Sequence, residues 1–540
     1  MPYLDTFSDN WTAKEARHLL KRVSFGATQD LVNEAVSLGL TATINKLFEE
    51  NPLPNPPLKY EFDGTGDDEI NDPGANYGET WVNALASVDA PTAQEKNRIF
   101  RARNRSVYAW SFLQMQDAGI SIREKLTLFW HNHFVAENIN PHREYTYINL
   151  LRTNSLKNFK ELVKLVTVDT NMLLYLSGSK NTDAAPNENY ARELLELFTI
   201  GKGEAVGNGD YTNYTEDDVV IIAKILTGWR VKKLSKTDAM ISYFSNNKHT
   251  KGDKTLSHRF NNAVISENGE FEYKDLIDVI FQQEECSKFI IRKLYRWFVS
   301  AEISTEIETN IIAPLAKILR DNNYDISVPL KTLFSSEHFF EMTFCMIKNP
   351  IDLMFSATKS LLVSAPKTSV NDEYNFAWIL YLAATDLNQS IFHHPDVAGW
   401  KAYYQEPLFY KSWVNSYLLP KRLDYCRLLV TGGDLLIDEK KHPVPPLVPV
   451  LLIASKINNA KDPNVLITEL ANQLFNYQIA ENQLTALKDI LIPGLPDFEW
   501  TVEYSNHLSD PTDEALKMSV EKKLRNLISV MVQMSEFQIM

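Results

Sequence analysis

The stretch PNENYARELLELFTIG, residues 186–201, gathers Glu188, Asn189, Arg192, Glu193 and Glu196 into one polar stripe of a predicted helix. At about 100° per residue, positions 189, 192, 193 and 196 share a face and 188 lies at its edge. Tyr190, Ala191, Leu194, Leu195, Leu197 and Phe198 cover the rest. The stripe is narrow, whereas a surface helix gives roughly half its face to polar groups. Two readings stay open. On a surface, the Glu188/Arg192 and Arg192/Glu196 pairs are ion pairs worth a few tenths of a kcal/mol each. In an interior, three carboxylates and a guanidinium line a cavity and require partners or a metal ion.

Two further segments carry residues of the same kind. In FWHNHF, residues 129–134, His131 and His133 are two apart. On a helix that step of about 200° sends them to nearly opposite sides, so at most one faces a given site. The other packs or hydrogen-bonds elsewhere, as a histidine among aromatics usually does. The segment KHTKGDKTL, 248–256, offers His249 and Lys254 in a non-helical setting suited to an anion or to catalysis; a solvated basic turn is the plain alternative. It is no phosphate loop, because the upstream glycine is missing and Lys254 follows Asp253.

Familiar catalytic signatures are absent. There is no HExxH helix, and RVSFG (22–26) lacks the first glycine of a nucleophile elbow. Of two ExxH matches, Glu15/His18 falls on a predicted helix but Glu439/His442 in a Pro-rich loop, which disfavours a di-iron bundle. No motif supports haem or flavin binding.

Helical periodicity dominates the elements that must position these groups. Helices are predicted at 13–23, 30–38, 92–116, from 121 through FWHNHF with Ser121 and Glu124 as a capping box, and at 143–155, 158–168, 187–200 and 215–228. The rhythm fails between 231 and 272, where MISYF and AVISENGEFEY, with Asn268-Gly269 between strands, predict a small hairpin. Helices resume to about 385, and HHPDVAGWKAYYQEPLFYKSW reads as an ordered aromatic loop. The expected organisation is 1–50 N-terminal helices, 51–91 a polar loop region, 92–230 a central helical core with the polar motifs, and 231–272 the hairpin insert. A second helical group with the aromatic loop (273–440) and C-terminal helices (441–540) complete it. The fold class is mainly α: one large multi-helix body with a small β-hairpin insert and a C-terminal helical segment.

A net charge of −14 argues against general nucleic-acid binding, which needs a basic footprint. Three widely spaced cysteines make no disulfide framework, and no apolar run is long enough to span a membrane. The first residues lack the plan of a signal peptide. A cytoplasmic location is therefore expected, or export if a leader has been removed.

The motifs together resemble the bacterial family known as domain of unknown function 1800. The resemblance rests on ARHLLKRVSFGAT (16–28), REKLTLFWHNHF (123–134), LRTNSLKNFKELVKLVTVDTNMLLYL (151–176), PNENYARELLELFTIGKG (186–203) and YTEDDVVIIAKILTGW (214–229). It continues through H-x-x-G-x-K-T (249–255), CSKFIIRKLYRWFV (286–299), IKNPIDL (347–353), PDVAGWKAYYQEP (395–407) and the closing SEFQIM. Thr250 stands where the family commonly has Asp. The resemblance implies no particular activity, substrate or cofactor. Members commonly occur beside proteins of a second uncharacterised family, number 1501, which resembles the alkaline-phosphatase superfamily; that association implies a partner. Because the polar stripe is among the family's characteristic motifs, the interior reading gains weight.

The expectation is an internal polar site in a bacterial protein, with Glu188, Arg192, Glu193 and Glu196 on its wall. His131 or His133 faces it from a neighbouring helix, and His249 with Lys254 closes it. A carboxylate serves as general base, Arg192 orients it, and His or Lys holds an anionic or polar substrate. A divalent metal, Mg, Ca or Mn, on Glu193, Glu196 and His131 suits the oxygen-rich set. The alternative is a non-enzymatic scaffold or assembly partner, with the carboxylates and Arg192 as a structural network.

Overall fold

The computed structural model describes residues 3–61, 72–84, 92–234, 239–437, 440–475 and 478–540. The fold is mainly α-helical, and among the described residues strands occur only in small two-stranded antiparallel sheets. Local chemistry explains many helix starts. Thr12 with Glu15, Thr92 with Glu95 and Thr215 with Asp218 form capping boxes at the heads of Ala13–Val23, Ala93–Gln116 and Glu216–Ile225. The box expected at Ser121 and Glu124 forms only in part: Ser121 Oγ accepts the Arg123 amide at 3.3 Å, at the start of the helix Arg123–His133, but Glu124 does not reach back to it. Glu124 instead forms a buried ion pair with Arg152, whose Nε lies 2.9 Å from Oε1 and whose NH2 lies 3.0 Å from Oε2. The tertiary partner outcompetes the local cap because a two-pronged guanidinium satisfies both carboxylate oxygens.

Between 229 and 272 the structure corrects the single hairpin. MISYF does form a strand, Met240–Phe244, but it pairs with Trp229–Lys233. Val264–Ile265 pairs with Lys254–Thr255. Gly228, at φ +93, turns the chain out of the preceding helix into the first of these strands. Asn268-Gly269 is no hairpin turn. The amides of both residues donate to Glu272 Oε1, at 3.1 and 3.2 Å, at the head of the helix Glu272–Ile280. Two more hairpins escaped the periodicity reading: Ala205–Gly207 with Asp210–Tyr211, and Gly433–Ile437 with Lys440–Val444. The last occupies sequence that reads as Pro-rich loop; Pro443 is tolerated because each strand of a two-stranded sheet is an edge. Parts of the predicted polar loop (62–71 and 85–91) and residues 235–238 of the insert lie outside the described residues.

One cluster of buried apolar side chains runs from Ala16 to Phe537. Arg22, 1% exposed, ties its ends by donating to the carbonyls of Val299 (2.6 Å) and Met540 (2.8 Å). Lys125, in the helix Arg123–His133, is ion-paired with Asp352 of the helix Pro350–Ser360, both buried. Among the described residues, no helix is long and apolar enough to cross a membrane.

Candidate functional site

The 186–201 segment is helical, but in two registers. An α-helix, Asn189–Glu193, passes into a π-helix, Leu194–Thr199. Its polar stripe is neither sealed nor freely solvated. Arg192 makes a two-pronged pair with Glu216, at 2.9 and 2.7 Å, and a looser one with Glu188 at 3.5 Å. Tyr211 donates to Glu216 and Tyr214 to Glu196, each at 3.1 Å. Glu193 is half-buried, and burial followed by the neighbouring Glu196 holds its carboxyl above the ordinary range. The stripe thus docks the helix onto the start of Glu216–Ile225. With Arg192 one-third exposed, Arg192→Ala should cost no more than about 1 kcal/mol in a urea titration. A loss of several kcal/mol would show instead that the stripe anchors the fold.

The other residues expected at this stripe lie elsewhere. His133 Nε2 meets the Phe198 carbonyl at 3.0 Å, and Lys293 Nζ reaches the Leu197 carbonyl at 3.0 Å and His133 Nδ1 at 3.3 Å. Both cap backbone carbonyls at the end of the π-turn, behind the stripe. Burial pushes the Lys293 ammonium down to about 7. His249 and Lys254 belong to a closed network in the hairpin region. His249 Nε2 is 2.9 Å from Glu272 Oε1, its Nδ1 is 2.9 Å from the Thr227 carbonyl, and Lys254 Nζ is 2.7 Å from Glu272 Oε2. All three side chains are buried, and among the described residues no hydrogen bond or ion pair joins them to the stripe. His131 points away from His133, as their spacing requires. Among the described residues no three His, Cys, Asp or Glu side chains are grouped to hold a metal ion, so Glu193, Glu196 and His131 do not form a metal centre.

His131 leads to a different constellation. Its ring lies edge-on to Phe392 (centroids 4.9 Å apart) and 4.8 Å from the ring of His394. The two motif segments that supply them are locked together. Asn132 Oδ1 accepts the Trp400 amide at 2.8 Å. Gly399, at φ +87, passes so close that a Cβ there would lie 2.3 Å from the same oxygen.

Behind this junction sit buried groups without partners. Neither nitrogen of His131, nor Nε2 of His394, has a hydrogen bond. The same holds for both oxygens of Glu144, which is fully buried on the helix Pro141–Asn154 one turn before Tyr147. The Asn138 amide lies close enough to favour the charged form slightly, but burial dominates and holds the Glu144 carboxyl well above its ordinary range. Burial, with a contribution from His393, pushes His131 down to about 4, and His394 is pushed well below the ordinary histidine range. Burial therefore favours the uncharged form of each of these three side chains. Each unpartnered group carries a penalty of about 1–3 kcal/mol, which a protein retains where the groups are used.

In front of the junction lies a relay of two exposed side chains, Glu137 and His393, and one buried, Tyr108. His393 Nδ1 is 2.7 Å from Glu137 Oε1, and the Tyr108 hydroxyl is 3.2 Å from His393 Nε2. With the carboxylate accepting from Nδ1, Nε2 accepts from the Tyr108 hydroxyl. Burial first, and Glu144 second, raise the Tyr108 phenol far above its ordinary range, so it remains a donor. His393 stands on the wall of a cleft of about 420 Å³, with Ser390, Thr385, Asn388, Lys401 and Trp413 around it.

His393, His394, Glu137, Glu144 and Tyr108 were not singled out by spacing. The available signal was the HH pair directly before PDVAGW, itself one of the recognisable motifs. Glu144→Gln tests the buried acid. Above pH 4.5 the unfolded chain releases the carboxyl proton that the folded chain keeps, so this group lowers stability as pH rises from there towards its folded value. The variant should therefore gain Tm over the parent by an amount that grows from pH 5 to pH 8. Parallel Tm–pH curves would show that Glu144 is not held protonated.

No curated protein and no solved structure matches the chain. The family model described as "Protein of unknown function (DUF1800)" matches residues 18–539. The chain belongs to that family.

Proposed function

We propose that the protein is an enzyme of the general acid–base type, acting on a small polar substrate in the cleft beside His393. The observation that carries this reading is the exposed Glu137–His393 pair, with His393 on the cleft wall and the buried Tyr108 hydroxyl on its other nitrogen. A histidine held by a carboxylate on one nitrogen, on the wall of a cleft, is the arrangement that makes a general base. A substrate hydroxyl or water molecule that displaces Tyr108 from His393 Nε2 gives its proton to that nitrogen. Glu137 stabilises the resulting imidazolium. Tyr108, buried and outside the cleft lining, holds the ring through its hydrogen bond to Nε2 until the substrate oxygen takes that place. Lys401 in the same cleft suits a substrate with an anionic group. Burial favours the uncharged forms of Glu144, His131 and His394 behind the relay, and such low-polarity surroundings strengthen the electrostatics in front.

The test is a screen of the purified protein against chromogenic carboxylic esters, phosphoesters and glycosides, repeated with His393→Ala. An activity that survives unchanged in that variant overturns the assignment.

One observation favours the scaffold reading as a second possibility. Tyr404, Leu408 and Tyr417, at and after the KAYYQEPLFYKSW segment, are exposed (37%, 54% and 62%). Apolar side chains so placed suit a docking face for a protein partner, such as a member of family 1501.

A further inference from the structure

The helices Ala13–Val23, Gln29–Leu38 and Pro463–Phe475 border a second cleft, of about 1010 Å³, which shares no lining residue with the one beside His393. Its volume stands at the upper end of small-molecule sites, about 300–1,000 Å³. Among the described residues, Lys14, Arg17 and Lys456 line it against a single carboxylate, Glu469. Asp30, outside the lining, is 3.4 Å from Lys456. Even with that partner counted, the cleft keeps an excess of positive charge, on a chain whose net charge is −14. A cleft of one sign focuses its field on a ligand of the other.

One wall holds a hydrogen-bond chain whose direction is fixed. Arg17, 6% exposed, donates to Gln29 Oε1 at 2.9 Å, and Gln29 Nε2 donates to Asn33 Oδ1 at 2.9 Å. A guanidinium can only donate, so it orients both carboxamides, and the chain ends on the NH2 group of Asn33. Asn33 is exposed and lines the cleft, and among the described residues that NH2 has no acceptor. Each bond in such a chain polarises the next, which strengthens the last donor. The helix Pro463–Phe475 supplies Val465, Thr468, Glu469 and Asn472, the i, i+3, i+4, i+7 set of one helix face.

We propose that this cleft binds an acidic saccharide, with its carboxylate or phosphate group on Lys14 and Asn33 and its hydroxyls on Thr468, Glu469 and Asn472. The acid follows from the excess of cations and from the open donor at the end of the Arg17 chain, both of which call for an anionic oxygen. The hydroxyls follow from the helix Pro463–Phe475. An ionised Glu469 only accepts, whereas Thr468 and Asn472 both donate and accept, and neighbouring sugar hydroxyls meet both needs. Phe344 and Val465 offer apolar surface to the C–H faces of sugar rings. The cleft is independent of the relay, and its test requires no catalytic assay.

Isothermal titration calorimetry on the full chain provides that test. Trigalacturonate and glucose 6-phosphate serve as acidic sugars, maltotriose as a neutral sugar and citrate as an acid without a sugar. At least one acidic sugar should bind, and which one does so tells carboxylate from phosphate. Maltotriose and citrate should each bind about tenfold more weakly or not at all. Asn33→Asp, an exposed change that sets a carboxylate where the donor was, should weaken the acidic sugar on the order of tenfold. Asn472→Trp, which fills the cleft from the helix Pro463–Phe475, should abolish binding, while circular dichroism confirms the fold of both variants. The proposal is overturned if neither acidic sugar binds, if maltotriose or citrate binds as tightly as the better acidic sugar, or if either folded variant binds like the parent.

Discussion

Glu272→Ala should cost about 3–5 kcal/mol of stability, measured as the shift in urea midpoint. Glu272 is fully buried and serves four partners: His249, Lys254 and the amides of Asn268 and Gly269. Truncation strands the Lys254 ammonium, only 4% exposed, without a counter-charge. It also removes the acceptor for the two amides at the head of the helix Glu272–Ile280. The double variant Glu272→Leu with Lys254→Met should recover much of the loss, because a buried ion pair replaced by apolar groups of similar volume is often close to neutral. A single-variant loss below about 1 kcal/mol would contradict the network described here, since surface pairs alone are worth that little.

His393→Ala should lower kcat/KM on the screened substrate by about 10²–10⁴-fold, the usual worth of a positioned general base. Glu137→Gln should give a smaller loss. It preserves a hydrogen bond to Nδ1 but removes the charge that stabilises the imidazolium, so its effect should fall mainly on kcat. The folded state should be indifferent to both, because His393 and Glu137 are exposed. A Tm unchanged in both variants, together with activity lost in the order His393→Ala then Glu137→Gln, separates catalysis from structure. Equal activity in all three proteins would falsify the relay.

Much of the helical frame was legible because amphipathic period and capping are local. The helix Ala13–Val23 lies where the periodicity places it, and its Thr12–Glu15 box is written in four adjacent residues. The stripe at 188–196 was legible as a helix but not as a register. A constant 100° step cannot foresee the π-turn after Glu193, whose extra residue rotates Glu196 relative to Arg192. The insert misled for a related reason. Asn268-Gly269 carries a strong hairpin signal, yet a buried carboxylate four residues on captured both amides.

The relay lay further out of reach. His393 and Glu137 are 256 residues apart, and no periodicity links such a pair. Glu144 resembles any helical glutamate until its burial is known. What the sequence could offer was membership of two recurring segments, HNHF and HHPDVAGW, and the structure joins those two through Asn132 and Trp400.

The Lys125–Asp352 pair has a consequence for how the chain comes apart. Its members are 227 positions apart and 1% and 2% exposed. A partly docked intermediate, with one segment home and the other loose, would hold a bare charge in an apolar surrounding. Such an intermediate lies well above both end states, so the pair penalises half-measures more than it rewards completion. Melting is thereby pushed towards a single concerted step, and the cost of closing so long a loop makes the return journey slow.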